Sequence, residues 1–261
     1  MLTAREIGLR LQNSSGVVVS CQTVRNRLHE YGLRARRPIR CPPIRHGNRA
    51  RRNEWCREHI TWTREQWDKI LFCDESRFGF KPDTRRVRVY RRPGNTEKLR
   101  CGQEVHPYNG STVMVWAGIM KNRRTELVFV NGNMNVVNYV EDVLRPYVRL
   151  FAQTLGSDFT LMHDNARSHT ALHTREYLAR ENILVLPWPA QSLDFNPIEH
   201  AWDMLQRRVL KDLDGVTTTQ QLMDLLKFHW EQLPQDNINS LIDSMNNRCQ
   251  QVLNNRGGHT L

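Results

Sequence analysis

From residue 69 to residue 210 short apolar runs alternate with turn signals and amphipathic stretches, and that order dictates a layered fold. KILFCD, RVRVYR and TVMVWAGIM read as three successive strands, with turn material at Pro93-Gly94 and around Asn109-Gly110. A helix follows over 135–153, with Val136, Val140, Val143, Leu144, Tyr147 and Leu150 as its apolar stripe. FTLMHD is the next strand, TALHTREYLAREN a helix, ILVLPW a further strand and PIEHAWDMLQRRVL another helix. Three strands in a row, then strand–helix–strand–helix, predict a mixed α/β sheet with helices packed against it. Two more amphipathic helices, near 218–233 and 236–253 with Pro234 between them, cover the core through Leu222, Leu225, Leu226, Ile238, Leu241, Ile242 and Met245.

Two of these strands run straight into acids. ILFC meets Asp74 and Glu75, and FTLMH meets Asp164, although ionised carboxylates are rarely buried without a partner. A third acid, Glu199, opens a helix in DFNPIEHAW. Acids at two strand ends and one helix start can converge in space while lying far apart in sequence, and converging oxygens suit Mg²⁺ or Mn²⁺. Each acid also has a plainer reading. Asp is a common turn residue at strand ends, and Asn196, Pro197 and Glu199 in order make a capping-box-like helix start. His163, His169 and His173 do not have a zinc spacing, and Ser168 beside His169 is too local for a hydrolytic triad.

Charge is concentrated at one end. Residues 1–60 hold thirteen arginines, no lysine and four glutamates, so +9 of the formal +11 lies there. A basic end on a near-neutral body predicts an arm for a polyanion, most simply nucleic acid. Ser20 can cap a helix in SCQTVRNRLHEYG that buries Val24 and Leu28, stops at Gly32 and presents Gln22, Thr23, Arg25, Asn26 and Arg27. Those side-chain types read base edges and grip phosphates. A first helix that Thr3 can cap precedes it, with Ile7 and Leu11 on one face. Residues 34–52, with Arg34, Arg36, Arg37 and Arg40 and prolines at 38, 42 and 43, read as an extended basic linker able to enter a narrow minor groove.

No run approaches 18 apolar residues, so no membrane span is expected. The six cysteines are scattered without a CxxC pair and indicate neither zinc nor a disulfide framework.

Taken in order, ILFCDESRF with Asp74, VYRRPG at 89–94, TVMVWAGIM, LMHDNARSHTA with Asp164 and PWPAQSLDFNPIEHAWDMLQRRV with Glu199 resemble the Tc/mariner superfamily of DNA transposases. The likeness covers about residues 45–210, and the 34 residues between Asp164 and Glu199 match the spacing of the Tc branch. LTAREIGLRL and VSCQTVRNRLHEYGLRARRP resemble the family's second helix-turn-helix. The family's upstream unit and the helix before the second unit would fall ahead of Met1, so an N-terminally truncated member is expected.

The resemblance implies a ribonuclease-H-like mixed sheet with flanking helices, bearing a DDE triad and preceded by a helix-turn-helix remnant. Its implied division is a partial helix-turn-helix over 1–38, a basic linker over 39–66, the catalytic domain over 67–212 and C-terminal helices over 213–261. Asp74, Asp164 and Glu199 would be catalytic and would bind two Mg²⁺ (or Mn²⁺) ions. Water would cleave a strand at the transposon end, and the freed 3′-hydroxyl would attack target DNA at a TA dinucleotide. Double-stranded DNA is the implied partner, with a homodimer in the DNA complex and the nucleus as the location. Glu75 faces the other side of its strand and is excluded from the triad. The alternative is a transposon-derived DNA-binding protein without transposition activity. A ribonuclease of the same fold leaves the basic arm unexplained.

Overall fold

The computed structural model describes residues 4–32, 43–80, 112–156 and 159–260, which fall into two units, Met1–Pro43 and Ile44–Leu261. The first holds α1 (Ala4–Ser15) and α2 (Cys21–Glu30). Ser20 Oγ accepts the Thr23 N–H and caps α2, Val24 is buried, and Gly32 at φ 72° closes the turn after it. Gln22, Thr23, Arg25, Asn26 and Arg27 are all exposed. Thr3, Arg34, Arg36, Arg37 and Arg40 lie outside the described residues, as does the expected strand RVRVYR.

The second unit opens with α3 (His46–His59) and α4 (Arg64–Asp68). Here the structure corrects the sequence reading, since the second half of the expected linker is a helix in the core. Arg52 is fully buried, and Trp55, Cys56 and His59 join it on the inner face of α3. A buried guanidinium needs every donor satisfied. Arg52 meets that need on the Gln191, Gly257 and Gly258 carbonyls, Ser192 Oγ and both oxygens of Asp194.

The sheet follows as β1 (Ile70–Gly79), β2 (Thr112–Met120), β3 (Arg123–Arg124), β4 (Val128–Val130), β5 (Thr160–Met162) and β6 (Leu184–Val185). Its order is β3-β2-β1-β5-β6, with β4 also on β2. β2 runs antiparallel to β1, whereas β5 is parallel to β1 and β6 to β5, so the sheet is mixed as expected. The crossover from β4 to β5 passes through α5 (Val136–Asn138), a π-helical stretch (Tyr139–Val148) and α6 (Arg149–Leu155). Pro146 sits inside the π stretch, and the Arg149 N–H reaches five residues back to the Leu144 carbonyl. The wider turn buries Val148 and leaves Leu150 outside, where a regular helix would have put Leu150 in the stripe.

After β5 come α7 (Arg167–Thr170), α8 (Leu172–Arg180), a 3₁₀ turn (Leu193–Phe195), α9 (Pro197–Val209), α10 (Thr219–Glu231), α11 (Gln235–Asp243) and α12 (Met245–Asn254). Alternation along β1 divides the core. Ile70 and Phe72 face a cluster with Trp55, Ile198, Trp202, Leu226 and Ile242, while Leu71 and Cys73 face Tyr139, Val143, Leu144 and Tyr177. Gly118 of β2 lies so close to Leu71 and Cys73 that a Cβ there would come within 2.9 Å of both side chains.

Candidate active site

Parallel pairing of β1 and β5 puts Phe72 opposite Met162. Two residues further along each chain stand Asp74, still within β1, and Asp164, just past the end of β5. Glu199 enters from a third element, in the first turn of α9. Asn196 caps that helix by accepting the Ile198 N–H, and its own N–H goes to the Leu193 carbonyl. Glu199 therefore does not close a capping box. Its carboxyl instead stands against Asp74, whose titration its charge raises.

The electrostatics follow from crowding acids in a poorly solvated place. Asp74 is only 8% exposed. Burial first, then the charges of Glu199 and Glu75, push its carboxyl up to about 9. Burial also raises Glu199, with Asp164 adding to the effect. The Asp74–Glu199 pair thus holds a proton at neutral pH. Asp164 behaves differently. Burial would raise it, but hydrogen bonds from His169 and the Ala166 N–H hold it below the usual carboxylate range.

His169 is the residue that the sequence reading passed over. Its ring is 2% exposed; Nδ1 lies 2.8 Å from Asp164 Oδ1 and Nε2 lies 3.2 Å from Glu75 Oε1. Burial opposes a charged ring, yet the two carboxylates raise it to about 9, so both nitrogens carry hydrogen and donate. His163 stacks on it at 4.7 Å with planes 3° apart and is lowered to about 3, by burial first and then by the His169 charge. Tyr139 Oη is hydrogen-bonded to His163 Nδ1 at 2.8 Å. Glu75 lies on the opposite sheet face from Asp74, as strand alternation requires, and its side chain meets His169. The signal in the sequence was the histidine five positions after Asp164 in DNARSH, meaningful once the turn is known.

Among the described residues no group of three His, Cys, Asp or Glu side chains is closed round a metal position. The donor set nevertheless suits a hard cation. Asp74, Asp164 and Glu199 supply oxygens alone, and Asp74 and Glu199 relieve their repulsion with a proton that a divalent ion would displace. A groove of about 280 Å³, lined in part by Asp164, Asn165, Trp188, Ser192 and Asn196, opens beside them.

Residues 1–61 match a family described as "Transposase", and residues 69–221 match one described as "DDE superfamily endonuclease". The Tc1 transposase of Caenorhabditis elegans is 34% identical over 98% of this chain and 93% of its own length. The fold matches the Mos1 transposase paired-end complex with left transposon end at a TM-score of 0.80, 19% identity, 99% of this chain and 75% of that one. The Mos1 mariner paired end complex with Mn matches at 0.79 and 20% identity, over all of this chain and 76% of that one.

Proposed function

Because this chain belongs to the Tc1/mariner-type transposases, we propose that it performs cut-and-paste transposition with Asp74, Asp164 and Glu199 as its catalytic carboxylates. What supports the reading is that Asp74 and Asp164 follow paired stretches of the neighbouring strands β1 and β5, while Glu199 stands in the first turn of α9 and its charge raises Asp74.

The three carboxylates would hold two Mg²⁺ or Mn²⁺ ions. When bound, such ions lower the pKa of water or a 3′-hydroxyl and stabilise the leaving oxygen of a phosphodiester. The chain's own residues supply position. Asp74 and Glu199 would hold the cation in place of their shared proton, and His169 keeps Asp164 ionised. The exposed face of α2 and the arginines after it would take duplex DNA, the phosphate contacts setting register and Gln22 and Asn26 meeting base edges. Transposon ends as substrate, a TA dinucleotide as target, a homodimer on paired ends and the nucleus as location complete the reading. The alternative of a binding protein without transposition chemistry gains nothing from these residues, since all three acids are present.

The test is strand cleavage. Supercoiled plasmid carrying a family-type transposon end should be nicked in Mg²⁺ or Mn²⁺, not in EDTA, and not by the Asp74→Asn variant. Equal nicking by that variant would remove the proposed site from the chemistry.

A further inference from the structure

We infer that Glu75 and His169 are positioning residues that fix Asp164 as a ligand presenting one oxygen, an inference that rests on Asp164 being a metal ligand. The described hydrogen bonds to the Asp164 carboxylate both end on Oδ1: the Ala166 N–H at 2.8 Å and His169 Nδ1 at 2.8 Å. Oδ2 is left for a cation. A carboxylate whose one oxygen is saturated cannot chelate through both, so its geometry as a ligand is set before the ion arrives.

The ring that does this is itself held. Glu75 Oε1 accepts from Nε2 at 3.2 Å, His163 stacks on one face, and the Tyr139 ring centroid lies 4.2 Å away. The result is a chain Glu75–His169–Asp164 that passes from one face of β1 to the end of β5. An apolar contact would fill the same space without burying an imidazole between two carboxylates. Metal sites use the same construction, in which a second acid orients the group that orients the ligand. It also accounts for an acid beside Asp74 that cannot join the triad from the far face of the strand.

The experiment is Mn²⁺ binding to the full chain, read from the free-ion EPR signal, with circular dichroism confirming the fold of each variant. His169→Ala should weaken binding about 10–100-fold, the range for loss of an orienting partner. His169→Asn, whose amide nitrogen can replace Nδ1, should recover most of that loss, and Glu75→Ala should give a smaller loss than His169→Ala. Affinity within about twofold of the unchanged chain in both His169 variants, with binding lost in Asp164→Asn, would overturn the inference and leave the metal site standing. Unchanged affinity in Asp164→Asn would overturn both.

Discussion

Arg52 and Asp194 form a two-pronged ion pair, Nη1 to Oδ1 at 2.6 Å and Nη2 to Oδ2 at 2.8 Å, with the guanidinium fully buried. The Thr260 N–H also bonds Asp194 Oδ2, so the pair ties α3, the loop before α9 and the C-terminal tail together. Removing one partner of a buried pair leaves an uncompensated charge. Asp194→Ala should therefore cost about 3–5 kcal/mol, measured by urea unfolding. Arg52→Met, which removes the charge but keeps the stem, should cost less than Asp194→Ala.

Asp194 also gives the chain a defined response to acid. Burial would raise its carboxyl, but the Arg52 hydrogen bonds, the Thr260 N–H and the nearby charges hold it below the ordinary value. A folded-state pKa below the unfolded one means the unfolded chain binds the proton first as pH falls. The stabilisation is whole above the unfolded value, about 3.9, and is lost as pH drops through the folded value. Urea unfolding between pH 6 and pH 2 should show this loss in the unchanged chain and a shallower one in Arg52→Met.

Asp74 and Asp164 should respond in opposite ways to the same substitution. Asp74 is raised by burial and by acid neighbours, so folding at neutral pH must protonate it; Asp74→Asn removes that cost and should raise the melting temperature in EDTA. Asp164 is paired with His169, so Asp164→Asn removes an attraction and should lower it. Thermal melts at neutral pH, with and without Mn²⁺, check both, and the added ion should stabilise only the unchanged chain.

The arginine-rich end should control the salt dependence of duplex binding. Residues 1–43 carry eight arginines and two glutamates, and they can be removed without cutting α3. Affinity should fall by about 0.9 log unit per log unit of salt for each phosphate neutralised. A chain beginning at Ile44 should give a clearly smaller slope in fluorescence anisotropy. Equal slopes would place the DNA contacts on the second unit.

What could be read from the residues depended on how local the cause was. Strands β1, β2 and β5 announce themselves because apolar side chains must be covered on both faces, and Asp74 and Asp164 stand out by breaking that pattern. Helix α3 did not announce itself. Its buried face is Arg52, Trp55, Cys56 and His59, and the burial of Arg52 makes sense only with carbonyls from residues 191, 257 and 258 in place. The Glu75–His169 contact spans 94 positions and depends on a turn after β5 that no periodicity encodes. The π stretch was hidden too, since Pro146 signals a disturbed helix without saying which residues turn inward.

The most direct measurement is anomalous diffraction from crystals of the chain soaked in Mn²⁺. The expected map has its strongest peaks in contact with Asp74, Asp164 and Glu199, on the Oδ2 side of Asp164, and loses them in Asp74→Asn crystals. Strong peaks elsewhere with none among these three carboxylates, at Mn²⁺ concentrations that support strand cleavage, would contradict the assignment of the active site.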